Sequence, residues 1–206
     1  SYIETDSYKK ANLHISIDAS GSMSGSKWSK TLTNVVALCK AVDMIQNLSI
    51  QVSFRTTSGN LPYIVMAYDS RTDKFSKVKQ MFPTLNANGT TPEGLCFEAI
   101  MKNFLSANND MDSYFLNISD GEPYFHGSHF YYAGHVACEH TRKMVKKMEG
   151  MGIKTLSYYV EEYGWNAKSD EPSEGFKKMY GKSARKIDVT SIAQITKTMN
   201  QLFLQK

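Results

Sequence analysis

The sequence predicts an α/β protein: a doubly wound, mostly parallel sheet with one antiparallel edge strand and helices on both faces. Short β-rich apolar runs alternate with longer segments whose apolar residues recur at helical spacing. A single pair of β-rich runs, 50–56 and 61–68, is joined by a tight turn at 58–60, which makes one strand antiparallel. The 206 residues, 41% hydrophobic and 21% charged, have the composition and length of one globular domain.

The first half of the chain is predicted as a strand, a helix, the hairpin and two further helices. An apolar run at 13–17 ends at Asp18, and a Ser/Gly-rich turn separates it from a helical pattern over 27–47. After the hairpin, 75–82 is a short amphipathic segment. Pro92 marks the start of the next helix, because proline is favoured in the first turn.

The second half continues the alternation of strands and helices. Its predicted elements are a strand at 113–119, an irregular aromatic stretch at 122–134, a basic helix at 136–151, a strand at 153–160, a helical turn at 175–180, a strand at 186–189 and a helix at 191–203. In open sheets of this kind, ligands bind at the carboxyl ends of the strands. Functional residues are therefore expected in the loops that follow the strands.

Composition excludes several classes of protein. No segment approaches the roughly 20 apolar residues of a membrane span, and the first ten residues lack the apolar core of a signal peptide. The three cysteines are odd in number and far apart, which favours a reducing compartment. The net charge of +4 is too small to indicate nucleic-acid binding. We therefore predict a cytoplasmic protein that binds neither membrane nor nucleic acid.

Three polar loops follow predicted strand ends. Their oxygen-bearing side chains are Asp18, Ser20, Ser22, the pair Thr90 and Thr91, and Asp120. A few hard oxygen ligands, mostly uncharged, suit Mg²⁺, with Mn²⁺ or Ca²⁺ as alternatives. Each residue alone is also explained as a helix cap or a turn. Their joint placement at three strand ends favours a metal site.

These loops resemble the metal-ion-dependent adhesion site of von Willebrand factor A domains. The resemblance rests on Asp-x-Ser-x-Ser at 18–22, Gly-Thr-Thr-Pro at 89–92 and Ser-Asp-Gly at 119–121, and it extends over nearly the whole chain. It implies five metal ligands, some acting through water: Asp18, Ser20, Ser22, Thr91 and Asp120. Thr91 fits the family's Gly-x-Thr-x-x-Gly spacing, with Thr90 as the alternative. The resemblance also implies a non-catalytic metal whose open position accepts a Glu or Asp from a protein partner.

A finer resemblance is to the A domain of cobaltochelatase CobT-type subunits, including CobT-like phage proteins. It rests on Ser-Asp-Gly-Glu-Pro at 119–123, His-Thr-Arg at 140–142 and Gly-Ile at 152–153. It implies a cytoplasmic adaptor subunit whose partner is a ring-forming AAA+ ATPase. In that family the A domain is C-terminal, so we predict one domain over 1–206 at the C-terminal end of a longer protein. An extracellular adhesion domain is the alternative, and a metal-dependent phosphoesterase ranks below both.

Other features have two interpretations each. A His/Cys cluster lies within fifteen residues and consists of His126, His129, His135, Cys138 and His140. It is either a transition-metal site or a set of hydrogen-bonded and exposed side chains, since its spacing matches no common zinc module. The aromatic residues among them either cover the core or form a partner-binding lip. Basic runs on the helices are solvated faces or a docking surface. Because the templates for nucleotide hydrolysis and serine catalysis are absent, the sequence predicts no enzyme.

Overall fold

The structure, a computed structural model, describes residues 10–106, 110–161 and 171–188. The strands are β1 (Lys10–Asp18), β2 (Leu48–Ser58), β3 (Leu61–Asp69), β4 (Met111–Ser119), β5 (Tyr124–His126), β6 (Tyr131–Ala133), β7 (Lys154–Glu161) and β8 (Ala184–Asp188). The helices are α1 (Ser26–Val42), α2 (Ser76–Met81), α3 (Glu93–Asn103), α4 (Gly134–Gly150) and α5 (Glu174–Tyr180).

The main sheet has the strand order β3-β2-β1-β4-β7-β8. The β2–β3 pair is antiparallel, and β3 lies at the edge, whereas the other neighbours pair in parallel. Helices α1 and α2 pack on one face, and α3, α4 and α5 pack on the other. The predicted fold class is confirmed. The order reverses direction beside β1, so the loops after β1 and β4 meet at a switch point of the sheet.

The two faces of the sheet differ in polarity. On β1, Leu13, Ile15 and Ile17 pack in the apolar layer beneath α1, whereas the alternate residues face α3 and α4. The buried polar residues on that second face of β1, β2 and β4 are Asn12, His14, Ser16, Gln51, Ser53, Arg55, Ser113, Asn117 and Ser119. Buried polar groups are costly unless they are paired. This face is therefore a layer of side-chain hydrogen bonds that runs to the carboxyl edge of the sheet.

Several helix and strand boundaries in the structure differ from the predicted ones. Helix α1 ends at Val42 rather than near residue 47, and Met44 and Ile45 are exposed by 78% and 52%. The chain reverses there to enter β2, with Asn47 in the left-handed conformation at φ 66°. The stretch at 122–134, predicted as irregular, contains the antiparallel β5–β6 hairpin. The predicted helix at 191–203 lies outside the described residues.

His14 is expected to make the stability of the fold pH-dependent. Its ring is fully buried, its Nε2 lies 2.8 Å from Ser53 Oγ, and Nδ1 has no hydrogen-bond partner among the described residues. Burial lowers the pKa of His14 from 6.5 to about 4. Between pH 6.5 and pH 4, His14 therefore binds a proton in the unfolded chain but not in the folded one. The free energy of unfolding is highest above pH 6.5 in this respect and decreases as the pH falls towards 4.

Between pH 7 and pH 4.5 this loss is about 2 kcal/mol of unfolding free energy. Urea unfolding of the wild type and of His14→Gln at both pH values measures it, because the variant lacks the titrating ring. An equal pH dependence in the two proteins would contradict the assignment to His14.

Candidate metal centre

Asp18 forms the buried floor of the predicted site. It is the last residue of β1 and is fully inaccessible to solvent. Its Oδ1 accepts a hydrogen bond from the backbone N–H of Ser20 at 2.8 Å, which closes the tight turn after the strand. Its Oδ2 accepts hydrogen bonds from Ser119 Oγ at 2.7 Å and from Thr91 Oγ1 at 3.5 Å. The three predicted loops therefore meet at this carboxylate.

Side-chain hydroxyl contacts lead from Ser20, whose backbone N–H is bonded to Asp18, towards solvent. Ser20 Oγ lies 3.0 Å from Ser22 Oγ, and Ser22 Oγ donates to Asp120 Oδ1 at 2.7 Å. Ser20 is buried and Ser22 is exposed, so the site opens at Ser22. The structure brings together the five residues that the resemblance implied as ligands, and their contacting side-chain atoms are all oxygens.

The structure distinguishes the two threonines. The Thr90 hydroxyl lies 2.9 Å from Thr57 Oγ1, which also accepts the Thr90 backbone N–H at 2.8 Å, so Thr90 is engaged on β2. Thr91 is buried and directs its hydroxyl to Asp18. Gly89 permits this turn: its φ is +80°, and a Cβ there would lie 2.5 Å from the Thr57 carbonyl oxygen.

Lys27 is a site residue that the sequence reasoning missed. It lies in the first turn of α1, and its ammonium donates to Asp120 Oδ2 in an ion pair. The Lys27 and Asp120 side chains are 20% and 4% exposed. The pair joins residues 93 positions apart, so no local pattern in the sequence indicates it. Asp120 thus accepts from Ser22 on one oxygen and from Lys27 on the other.

A buried ion pair lies directly behind the site. Arg55, which pairs in register with Asp18, and Glu93, the first residue of α3, are both 0% exposed. Their contacts are bidentate, with Nε to Oε2 at 2.9 Å and Nη2 to Oε1 at 2.8 Å. Arg55 Nη1 donates to the carbonyl and hydroxyl oxygens of Ser16, both at 2.9 Å. The sequence signal for this network is that Arg55 is the one charged residue of β2.

The network also ties α5 to the same point. Tyr180 donates its hydroxyl to Glu93 Oε1, and Asn117 Nδ2 donates to that oxygen at 3.2 Å. Burial raises the pKa of Tyr180 well above 10, so the hydroxyl keeps the proton that it donates. Glu93 follows Thr91 by two residues in the sequence. Its contacts with Arg55 and Tyr180 therefore hold the loop that carries Thr91 in place.

The His/Cys cluster does not converge. His140 Nδ1 lies 2.9 Å from Tyr132 Oη, exposed His135 faces Glu139 at 3.4 Å, and Cys138 Sγ lies 3.9 Å from a Glu122 carboxylate oxygen. Across residues 10–106, 110–161 and 171–188, no three His, Cys, Asp or Glu side chains are grouped to hold a metal ion. The geometry therefore favours hydrogen-bonded and exposed side chains over a zinc site.

The β5–β6 hairpin borders the predicted site. Thr91 and Tyr124 exchange two backbone hydrogen bonds, each 2.9 Å long. Phe125 and Tyr132 face inward and are buried, whereas Tyr124 and Tyr131 are 49% and 65% exposed. Phe125 and Tyr132 thus cover the core, whereas Tyr124 and Tyr131 are exposed beside Thr91, where a partner-binding role for them stays a prediction.

The fold and this arrangement define a class: a doubly wound α/β domain with an oxygen-lined site at the carboxyl end of its central strands. The protein-family model of the von Willebrand factor type A domain matches residues 12–201 of this chain. The chain therefore belongs to that family. No match was found among curated proteins. In the described part of the chain, no helix is both long and apolar enough to span a membrane.

Solved structures share the fold at low identity. The vWF domain of the type V pili tip protein Mfa5 from Porphyromonas gingivalis has a TM-score of 0.70 at 10% identity, with 97% of this chain and 98% of that chain covered. The pilus adhesin SpaC from Lactobacillus rhamnosus GG has a TM-score of 0.64 at 11% identity, with 95% of this chain but 30% of that chain covered. Manganese-loaded TRAP protein from Plasmodium vivax has a TM-score of 0.62 at 15% identity, with 96% of this chain and 74% of that chain covered. These matches do not support the finer CobT-type resemblance.

Proposed function

We propose that this chain is a cation-dependent protein-interaction domain. The observation that carries the proposal is the single hydrogen-bonded set of oxygen donors, running from buried Asp18 to exposed Ser22. The residues that would hold the ion are Asp18, Ser20, Ser22, Thr91 and Asp120. Two carboxylates and three hydroxyls fit a hard cation, Mg²⁺ or Mn²⁺, and contain no soft ligand. The manganese-loaded TRAP neighbour is consistent with that choice.

The same donor set favours an acidic partner group. Three of its five side chains are neutral, so a divalent ion held there keeps an affinity for one more anionic oxygen. The opening at Ser22 provides the approach, and the exposed rings of Tyr124 and Tyr131 lie on the adjacent hairpin. Tyrosine is enriched in protein interfaces because it combines a large apolar surface with a polar hydroxyl. We therefore propose a protein partner that presents a Glu or Asp side chain.

Of the two biological contexts predicted, adhesion has the better support. The neighbours include a pilus tip protein and a pilus adhesin, and they favour an adhesion-type role over an adaptor role. The AAA+ ATPase partner rests on the CobT-type resemblance alone, and the cytoplasmic location rests on that resemblance and on the cysteine pattern of the sequence. The non-catalytic character is part of the proposal, and turnover of a phosphoester by the purified chain would contradict it.

Affinity capture with and without EDTA tests the proposal. The chain is immobilised, incubated with candidate surface or cell proteins in Mg²⁺, and the retained proteins are identified by mass. We expect a partner that is retained in Mg²⁺, released by EDTA and not retained by Asp18→Ala. Retention that is equal with and without EDTA would contradict a metal-bridged contact.

The two threonines provide a matched pair of variants. Thr91→Ala removes the hydroxyl that faces Asp18, whereas Thr90→Ala removes the one engaged by Thr57. We expect Thr91→Ala to weaken Mg²⁺ binding by about 10- to 100-fold and Thr90→Ala to change it little. Isothermal titration with MgCl₂ measures both. The reverse order of effects would identify Thr90 as the ligand.

A further inference from the structure

Lys27 occupies a position that helix stability does not explain. The N-terminus of a helix carries a partial positive charge and favours acidic side chains in the first turn. The first turn of α1 contains no acidic residue, and Lys27 is its second position. Its ammonium nevertheless lies at the site, on an Asp120 carboxylate that is nearly inaccessible to solvent. The partner that accounts for this lysine is therefore Asp120, across the site from α1.

We propose that Lys27 lowers the affinity of this site for its divalent cation by supplying a tethered positive charge on Asp120. This inference rests on the proposed function, and it names the residue that sets the affinity. Asp18 and Asp120 contribute two negative charges, and Lys27 offsets one of them. The neighbouring charges of Arg55 and Glu93 cancel each other in their bidentate pair.

The consequence is a site whose charge changes sign when the cation binds. Its formal charge is −1 from Asp18, Asp120 and Lys27, and a divalent ion brings it to +1. Without Lys27 the loaded site would be neutral and its attraction for a partner carboxylate weaker. Lys27 thus lowers the affinity of the site for the cation and raises the affinity of the loaded site for an acidic partner group. It acts through Asp120 and is a positioning residue, not itself a ligand.

Titration of the full chain with MgCl₂ tests the inference in four proteins. These are the wild type, Lys27→Met, the charge-conserving Lys27→Arg, and Lys30→Met as a control that removes one positive charge from the same helix. We expect Lys27→Met to bind Mg²⁺ at least about tenfold more tightly than the wild type, because a like charge beside the site is removed. We expect Lys27→Arg and Lys30→Met to stay close to the wild type.

The possible results separate the two proposals. Equal or weaker Mg²⁺ binding by Lys27→Met, with binding by the wild type, would overturn the inference and leave the proposed function intact. No Mg²⁺ binding by any of the four proteins would overturn both. Urea unfolding of each variant accompanies the titrations, since a purely structural role of the ion pair predicts lower stability without tighter cation binding.

Discussion

Replacing Asp18 by asparagine is expected to abolish divalent-cation binding while the fold is retained. Asp18 is the residue at which the three loops meet, and its two oxygens accept from Ser20, Ser119 and Thr91. Asparagine has nearly the same shape and keeps one acceptor oxygen, but it removes the buried negative charge that a cation needs. We expect Mg²⁺ affinity to fall by at least about 100-fold, the upper range for substitutions around a metal site.

Isothermal titration with MgCl₂ measures this loss, and circular dichroism checks that the fold is intact. Asp43→Asn is the matched control, because that aspartate lies just beyond the end of α1 and forms its ion pair among the described residues with exposed Lys40, at 3.4 Å. The control should bind Mg²⁺ as the wild type does. Unchanged affinity in Asp18→Asn would remove Asp18 from the ligand set and with it the proposed centre.

The second large effect is expected on stability, from Arg55→Leu. The substitution leaves Glu93 as a fully buried carboxylate without its counter-ion and removes the hydrogen bonds to Ser16 and Asn117. Breaking a buried pair in this way costs about 3–5 kcal/mol. Such a loss is a large fraction of the 5–15 kcal/mol that ordinarily stabilises a domain. We expect the urea midpoint to fall steeply.

Two companion variants isolate the cause. Arg71→Leu removes a partly exposed ion pair, in which the Arg71 and Asp69 side chains are 49% and 15% exposed, and is expected to cost about 1 kcal/mol. Arg55→Leu combined with Glu93→Gln neutralises the stranded carboxylate while keeping an acceptor for Tyr180, so it should recover much of the loss. If Arg55→Leu were as mild as Arg71→Leu, the buried pair would contribute little to the fold.

The fold class was predictable because its signals are local. Apolar runs, the 58–60 turn and the helical spacing each depend on neighbouring residues, and they determine the order of the strands and helices along the chain. Boundaries were less predictable: α1 stops at Val42 because the chain must reverse into β2, and Met44 and Ile45 then have no apolar layer to enter. The short β5–β6 hairpin has Gly127 and Ser128 in its loop, but its strands have only three residues each and are too short for an alternating pattern to indicate them.

The ligand candidates were also local, since Asp18, Ser20 and Ser22 lie in one turn and the other two lie at strand or helix ends. Convergence of the three loops was expected from the parallel sheet, and the structure brings them to one carboxylate. The choice of Thr91 over Thr90 had only motif spacing behind it until the side-chain contacts separated them.

By itself, the sequence determined the layered fold, the carboxyl end of the sheet as the functional edge and the oxygen-bearing residues gathered there. The tertiary structure alone decided which charges accompany them: the Lys27 ammonium on Asp120 and the Arg55–Glu93 pair behind Asp18. These pairs join residues 93 and 38 positions apart. An ion pair depends on the distance between two side chains in space. No pattern along the sequence predicts which lysine or arginine lies beside a given carboxylate.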